Sequence, residues 1–176
     1  MILMLEVKTI GEEVLKQKAK RIFKKDIVGK KELIKEMTEL MRVSKGIGIA
    51  APQVGVSERV VIIEIEENRN YPDLKKLPLT VMINPKVTPI GKEKVEGYEG
   101  CLSVPEIRGV VARYKKILVQ YLDENSELHK KEFEDLQARV VQHEVDHLAG
   151  IVFIERVQDK KTFITYENYK KYVLRK

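Results

Sequence analysis

The segment His143-Glu144-Val145-Asp146-His147 places two imidazoles and a carboxylate in the pattern H-E-x-x-H. Positions i and i+4 of a helix lie one turn apart on the same face, so both imidazoles can bind one cation. Glu144 projects beside that face, where a carboxylate can take a proton from a water that the metal has made more acidic. The pattern predicts a hydrolytic metal centre; the alternative is a buried helix whose histidines only satisfy hydrogen bonds.

Two histidines leave a catalytic metal site incomplete, because such sites usually have three protein ligands and one water. Cys101 is the only cysteine, and its neighbour Gly100 permits close backbone approach. A lone cysteine can equally be a small buried hydrophobe, and His129 is typical of a solvated surface histidine. Some H-E-x-x-H proteases take a ligand downstream of the helix, where Glu155 and Glu167 are the nearest carboxylates. The residues alone leave the third ligand open.

The histidine pair must be carried by a helix, which we expect to run from Asp135 to about Ala149, before Gly150. Leu136 and Val140 fall on its histidine face and would form an apolar floor beside the metal. Strands are predicted at Arg59–Ile65, Leu79–Asn84, Lys86–Ile90, Ile107–Ala112, Ile117–Leu122 and Leu128–Glu134. Further helices are predicted at Gly11–Ala19, Lys30–Ser44 and Lys160–Leu174, and an exposed loop at Glu66–Pro78.

These elements predict a single α+β domain over residues 1–176, in which a central metal-binding helix packs against antiparallel β-sheets, with N-terminal helices and a short C-terminal helix. The formal charge of +6 is too small for a nucleic-acid-binding tail, and the lone cysteine excludes an intrachain disulfide. No apolar run reaches the ~18–20 residues that span a bilayer. The short apolar start lacks the basic stretch of a signal peptide, so we expect a cytoplasmic protein.

Three segments resemble the motifs of peptide deformylases, in the order of that family. They are Gly46–Gln53, Glu99–Ser103 and Gln142–His147, which read GIGIAAPQ, EGCLS and QHEVDH. The resemblance covers nearly the whole chain, from the first helix to at least Phe153. It implies a metal-dependent hydrolase that removes the formyl group from the N-terminal formyl-methionine of nascent polypeptides and releases formate.

The resemblance also implies a ligand set and a metal. Cys101, His143 and His147 would bind one divalent cation, with a water in the fourth position as the nucleophile. Members of the family natively use Fe²⁺, and Zn²⁺, Ni²⁺ or Co²⁺ can substitute, whereas the ligand chemistry by itself favours zinc. Glu144 would act as general base and then as general acid. The Gln53 side chain and the Leu102 backbone N–H would stabilise the negative oxygen of the transition state.

A nascent chain is extended and variable in sequence, so the enzyme must bind its backbone. The stretch Ile47–Gly48 and Gly100 can offer N–H and C=O groups to an added strand. The methionine side chain would occupy an apolar pocket formed by Ile47, Leu136 and Val140. The basic tail could dock on the ribosome, or could be a solvated helix face; its basic residues are Lys160, Lys161, Lys170, Lys171, Arg175 and Lys176.

Two other functions compete with deformylation. An H-E-x-x-H endopeptidase would require a metal ligand downstream of His147 and would give Cys101 no role. A binding protein with a structural zinc would require four protein ligands, and the sequence offers no obvious fourth. Neither alternative explains the segment Gly46–Gln53.

Overall fold

The secondary structure is that of an α+β protein, and the computed structural model describes it for residues 5–66 and 75–174. The helices are α1 (Lys31–Val43), α2 (Asp135–His147) and α3 (Tyr166–Tyr172). The strands are β1 (Gly48–Ala50), β2 (Val60–Ile65), β3 (Leu77–Pro89), β4 (Lys94–Cys101), β5 (Val104–Tyr114), β6 (Lys116–Leu122), β7 (Leu128–Glu134) and β8 (Ile164–Thr165). Single 3₁₀ segments cover Glu13–Lys16, Lys24–Lys30, Ala51–Val54, Phe153–Glu155 and Lys160–Thr162. Within the described ranges, no helix is long and apolar enough to cross a lipid bilayer.

The named strands pair in antiparallel fashion and form two sheets. The larger sheet has the strand order β1-β2-β3-β6-β7, and the smaller one has the order β4-β5-β8. β4 and β5 make a hairpin in which Cys101 pairs with Val104, so Leu102 and Ser103 form its tip. Among the strands of the described residues, β1 and β4 are each outermost in their sheet, which leaves one edge of each for another partner.

The larger sheet is covered by a helix on each face. β2 is apolar at every residue except Glu64, because its successive side chains point to opposite faces that are both covered. Ile62 packs with Met37 of α1, and Ile63 packs with Val141 of α2; all four side chains are fully buried. α2 also contacts β5 of the smaller sheet, so the histidine helix runs through the core between the two sheets. The predicted architecture is confirmed.

The structure corrects two features of the predicted strands. The two predicted strands Leu79–Asn84 and Lys86–Ile90 are one strand, β3, which ends at Pro89. A register irregularity between Ile83 and Lys86 accounts for the break in the sequence pattern. No strand is predicted at β4, which carries Cys101. Most of its side chains are exposed or half-buried, so it lacks the alternation by which a half-buried strand is recognised.

The terminal helices are shorter than the sequence predicts. Only a single 3₁₀ segment forms within Gly11–Ala19. The prediction of one helix over Lys160–Leu174 is wrong in its first half: β8 pairs there with β5, and α3 begins only at Tyr166. The predicted loop Glu66–Pro78 gives up its last two residues to β3, and most of the rest lies outside the described residues.

Candidate metal centre

Cys101, His143 and His147 converge between α2 and the β4–β5 hairpin. Their ligand atoms, one sulfur and two imidazole nitrogens, all lie within 4.8 Å of one another. The Cys101 Sγ is 3.3 Å from His147 Nε2, and each of the three side chains is buried. Burial lowers the pKa of His147 well below its ordinary value, which keeps the ring neutral and able to bind a cation. This donor set fits a divalent metal with tetrahedral coordination and one position open to water or substrate.

The other candidate ligands from the sequence do not join this group. His129 is bonded through Nε2 to Asp123 Oδ2 at 2.9 Å. Glu155 accepts a hydrogen bond from the Val152 backbone N–H at 2.8 Å, which caps its own 3₁₀ segment. Glu167 is exposed in the first turn of α3. Among the residues that the structure describes, the geometry selects Cys101 as the partner of the two histidines.

A fixed amide lies beside the cysteine. Gln53 is 1% exposed, and its side-chain carbonyl accepts a hydrogen bond from the Ala50 N–H at 2.8 Å. Its amide nitrogen therefore faces the centre, where it donates to Cys101 Sγ at 3.3 Å and to Ser103 Oγ at 3.2 Å. The Ser103 backbone N–H also donates to this sulfur, at 3.4 Å. These donors hold the sulfur at the hairpin tip.

A buried carboxylate orients one of the histidines. Glu99 Oε2 lies 2.9 Å from His143 Nδ1, so the other ring nitrogen of His143 is directed toward the cysteine. Arg113 donates one hydrogen bond to each Glu99 oxygen, both at 2.9 Å. Arg139 donates the third hydrogen bond of this carboxylate, to Oε1. Burial by itself would raise the pKa of Glu99, but the hydrogen bonds from His143 and Arg113 lower it to about 2. The carboxylate is therefore charged at neutral pH.

Asp146 lies inside the H-E-x-x-H segment, and it stabilises the hydrogen-bond network around Glu99 rather than the proposed metal ligands. It accepts hydrogen bonds from Arg113 and, through both oxygens, from Arg156. Arg113 thus bridges Asp146 on α2 to Glu99 on β4. The arrangement ties the helix that carries the two histidines to the strand that ends in Cys101.

Glu144 is fully enclosed and lacks a polar partner for one oxygen. Its side chain is 4% exposed, and Oε2 makes no hydrogen bond within the described part of the chain. Burial raises the pKa of Glu144 to about 7, which suits a group that both takes and gives a proton near neutrality. A Cβ atom at Gly48 would lie 2.6 Å from Glu144 Oε1, so only glycine leaves room for this carboxylate.

Two adjoining cavities open onto the centre. The larger, of about 540 Å³, is lined by Gln53, Gly100, Cys101, Leu102, His143 and Glu144, together with Ile47 and Gly48. The smaller, of about 130 Å³, is lined by Ile47, Leu136, Val140 and Arg139, and it shares Gly100, His143 and Glu144 with the larger. The residues that the sequence singles out for catalysis and substrate binding all line one or both of them.

Sequence reasoning missed several residues around the centre. Glu99 lies within a recognised motif, but nothing in the sequence predicts its contact with His143. Arg139 is one turn before His143 on α2, and this spacing could have indicated it. Arg108 and Tyr166 line the larger cavity from distant parts of the chain, and no sequence signal connects them.

The fold and the site together define a class of protein, namely a metal-dependent enzyme built around an H-E-x-x-H helix. The family described as polypeptide deformylase matches residues 4–163. Peptide deformylase 2 of a Nostoc species is 40% identical over 170 residues, which is 97% of this chain and 95% of the relative. Peptide deformylase 2 of Pseudomonas putida is 45% identical over 132 residues, 75% of this chain and 74% of the relative.

Solved structures agree with these relatives. The class I type b peptide deformylase of Acinetobacter baumannii, determined with Met-Ala-Ser bound, has a TM-score of 0.81 and 40% identity, covering 89% of this chain and 100% of that one. The peptide deformylase of Synechococcus elongatus in complex with actinonin has a TM-score of 0.79 and 35% identity, covering 90% and 81%. The chain belongs to the polypeptide deformylase family, whose members are metal-dependent enzymes.

The Glu99–Arg113 pair provides a first prediction. Arg113→Met leaves a buried carboxylate without its main partner, so we expect a loss of roughly 3–5 kcal/mol of unfolding free energy. It also frees the residue that orients His143, so metal affinity should fall roughly 10- to 100-fold. Urea unfolding and competition with a chelator measure the two effects. Lys116→Met, which removes the exposed pair with Glu132, is the control and should change little.

Proposed function

We propose that the protein removes the formyl group from the N-terminal formyl-methionine of nascent polypeptides and releases formate. The observation that carries the proposal is the buried Cys101, His143 and His147 group at the junction of two cavities, beside the Glu144 carboxylate, whose Oε2 has no hydrogen-bond partner among the described residues. The curated relatives of the chain support it, because they are named peptide deformylases. Such chains are made in the cytoplasm, where the protein would act.

Cys101, His143 and His147 would hold the metal, and ferrous iron is the ion that we propose for it. When bound, a divalent cation would supply Lewis acidity and would lower the pKa of a nearby water. That water could then lose a proton and attack an amide. The protein controls the rest of the environment. The Glu99 carboxylate fixes the orientation of His143, and the Gln53 amide and the Ser103 N–H fix the sulfur.

Glu144 is the proposed proton carrier. Its free oxygen can accept the proton that the attacking water loses, and the same carboxyl can then give it to the departing amine nitrogen. A pKa of about 7 permits both transfers without a large energetic penalty in either direction. The absence of a side chain at Gly48 leaves the space that the carboxylate occupies beside the cavity.

The negative charge that develops on the formyl oxygen needs fixed donors. The Gln53 amide is anchored through Ala50, and its NH₂ group already faces the centre. Leu102 at the hairpin tip lines the same cavity, and its backbone N–H is the second proposed donor. Donors that need not reorient during the reaction are worth about 3–4 kcal/mol each in a site that excludes water.

The two free strand edges suggest how the peptide binds. β1 ends one sheet and β4 ends the other, and both border the larger cavity near Gly48 and Gly100. An extended peptide can pair with such edges whatever its side chains are. The smaller cavity, between Ile47, Leu136 and Val140, would take the methionine side chain.

Formate release tests the proposal directly. A formyl-Met peptide should release formate, while the same peptide without the formyl group should remain intact. A formyl-Gly peptide should react roughly tenfold to a hundredfold more slowly, because it fills no apolar pocket and loses ~1.5–3 kcal/mol of transfer energy. Cleavage of an internal peptide bond would favour the endopeptidase, and absence of any reaction would favour a structural metal. Equal rates for Met and Gly would disprove the pocket assignment.

Removing the proton carrier gives a second test. Glu144→Gln keeps the shape and the metal ligands but cannot carry a proton, so we expect kcat to fall at least about a hundredfold with metal content unchanged. Both quantities should be measured on one preparation. Glu124→Gln, an exposed glutamate in the β6–β7 turn, is the matched control. A metal-replete Glu144 variant with near-normal turnover would remove Glu144 from the mechanism.

The role of Cys101 can be tested by thiol chemistry, because it is the only cysteine of the chain. As a ligand, its sulfur should resist thiol reagents until a chelator removes the metal. Cys101→Ser should lose metal affinity, since a hydroxyl is a poorer anionic ligand. If the metal is ferrous, air should inactivate the protein, whereas a zinc-loaded form should resist. A freely reactive thiol in the metal-loaded protein would contradict the assignment.

The basic tail is a proposed contact to the ribosome. Lys160, Lys161 and Lys171 are exposed, whereas Arg175 and Lys176 lie outside the described residues. Changing these three lysines to glutamate should weaken salt-dependent binding to ribosomes and spare hydrolysis of a short peptide. Lys24→Glu, an exposed lysine elsewhere, is the control. An unchanged ribosome affinity in the triple variant would show that these lysines belong to a surface that contacts only solvent.

A further inference from the structure

The net positive charge of the chain resides in one short segment. Residues 16–31 contain eight lysines and arginines and a single acidic residue, Asp26, which gives a formal charge of +7. The whole chain has 33 basic and 27 acidic side chains, so the other 160 residues carry 25 basic and 26 acidic ones, a formal charge of −1. We call residues 16–31 the N-terminal basic segment. Its charge creates a strong local field although the protein as a whole is only mildly basic.

The N-terminal basic segment is fixed to the body of the protein through its backbone. The Ala19 N–H donates to the Leu148 carbonyl at 3.0 Å. The Asn84 side chain accepts from the Ile22 N–H at 3.0 Å and donates to the Ile22 carbonyl at 2.8 Å. Ala19, Ile22 and Ile27 are buried, which turns the charged side chains between them toward solvent. The cations are therefore displayed on a rigid surface and not on a loose arm.

Most of these cations are available to an external anion. Within residues 5–66 and 75–174, six exposed cations of the segment make no ion pair: Lys18, Lys20, Arg21, Lys24, Lys25 and Lys31. Lys16 and Lys30 pair with Glu13 and Glu58. The acidic turn between β6 and β7 bounds the surface on one side, where Ser126 Oγ donates to the Lys24 carbonyl at 3.4 Å.

Exposed apolar side chains stand among these cations. The four most exposed large apolar residues of the described chain are Val43, Phe23, Leu128 and Val28, at 81%, 72%, 70% and 69%. Phe23 immediately precedes the 3₁₀ segment Lys24–Lys30, and Val28 lies within it. Leu128 begins β7, just after the turn that contacts this segment. Three of the four thus belong to the N-terminal basic segment or adjoin it, and clustered apolar exposure of this kind marks an interaction surface.

Unpaired cations around protruding apolar side chains fit the surface of an anionic membrane. Lysine and arginine bind the phosphates of the lipids, and apolar side chains between them enter the headgroup region. RNA would engage the same cations, but its phosphates and base edges offer no apolar layer for Val28 or Leu128. A second copy of the chain would bring another charge of +7 against the first, and such like-charge contacts are unfavourable.

We propose that the N-terminal basic segment docks the protein on a membrane that exposes anionic phospholipids, with Phe23 inserted between the headgroups. The contact is peripheral, and it is sequence-encoded by the coincidence of charge and apolar exposure in one segment. No residue of the segment lines either cavity of the metal centre, so docking and hydrolysis use different residues. The inference is independent of the reaction that the protein catalyses.

Vesicle binding tests the proposal. The protein should sediment with vesicles made of equal parts of phosphatidylglycerol and phosphatidylcholine, and not with pure phosphatidylcholine, and added salt should weaken the binding. Each cation near an anionic surface strengthens binding about fivefold, so the combined variant Lys20→Gln, Lys24→Gln and Lys25→Gln should lower the partition coefficient roughly a hundredfold.

A matched variant controls for the loss of charge. Lys92→Gln, Lys160→Gln and Lys161→Gln together remove the same charge from exposed positions elsewhere and should leave vesicle binding nearly unchanged. Both triple variants should keep the wild-type unfolding midpoint, because the altered side chains are exposed. An equal loss of vesicle binding in the two triple variants would show that only the net charge matters, which would overturn the proposal.

Insertion of Phe23 can be measured separately, because the chain contains no tryptophan. In Phe23→Trp, the emission should shift to the blue on anionic vesicles and be quenched by brominated lipid, since the indole leaves water. Val43→Trp, at an even more exposed position outside the segment, should keep the emission of an indole in water. Phe23→Ser should lower the partition coefficient about tenfold without a change in charge, because less apolar area is buried.

Two results would contradict membrane docking. One is wild-type binding that is no stronger on anionic vesicles than on pure phosphatidylcholine. The other is salt-dependent binding that Phe23→Ser does not weaken and that leaves the indole of Phe23→Trp in water. The cations would then bind any polyanion, and tighter binding of duplex RNA than of vesicles would identify RNA as the partner in place of lipid.

Discussion

The bonding of Glu99 is the constraint on which the rest of the site depends. One carboxylate orients His143 of α2, a proposed metal ligand, and accepts three hydrogen bonds from Arg113 and Arg139. Its strand, β4, ends in Cys101 two residues later. The buried Glu99–Arg113 ion pair therefore helps to set the distance between the sulfur and the histidines, together with the Gln53 and Ser103 donors that hold the sulfur. A metal centre fixed in this way needs little rearrangement to bind its cation.

The same rigidity explains how an open site can remain dry enough for catalysis. α2 lies between the two sheets, so the walls of the centre are core side chains, and Glu144 loses its hydration by burial alone. The cavities beside Gly48 and Gly100 connect it to solvent. An entering peptide would close that path with its own backbone, which strengthens every charge interaction inside.

The sequence predicts the local part of this arrangement well. The H-E-x-x-H spacing identifies the two histidines because both lie on one helix, where the chain itself fixes their separation. Cys101 requires contacts across the fold, and the residues alone do not choose it over His129 or Glu155; the family resemblance supplies that choice. β4 escapes prediction because an edge strand with solvated side chains has no hydrophobic alternation.

Contacts between residues that are far apart in the sequence are the part of the site that sequence reasoning does not predict. Arg108 and Tyr166 are distant along the chain, and the β5–β8 register brings them together. The predicted continuous terminal helix would have carried Tyr166 away from the cleft. Two residues of strand pairing, by contrast, turn the tail back onto the hairpin before α3 begins. A weak local preference for helix is thus overridden by pairing and aromatic packing, and the tail becomes a wall of the cavity rather than a free appendage.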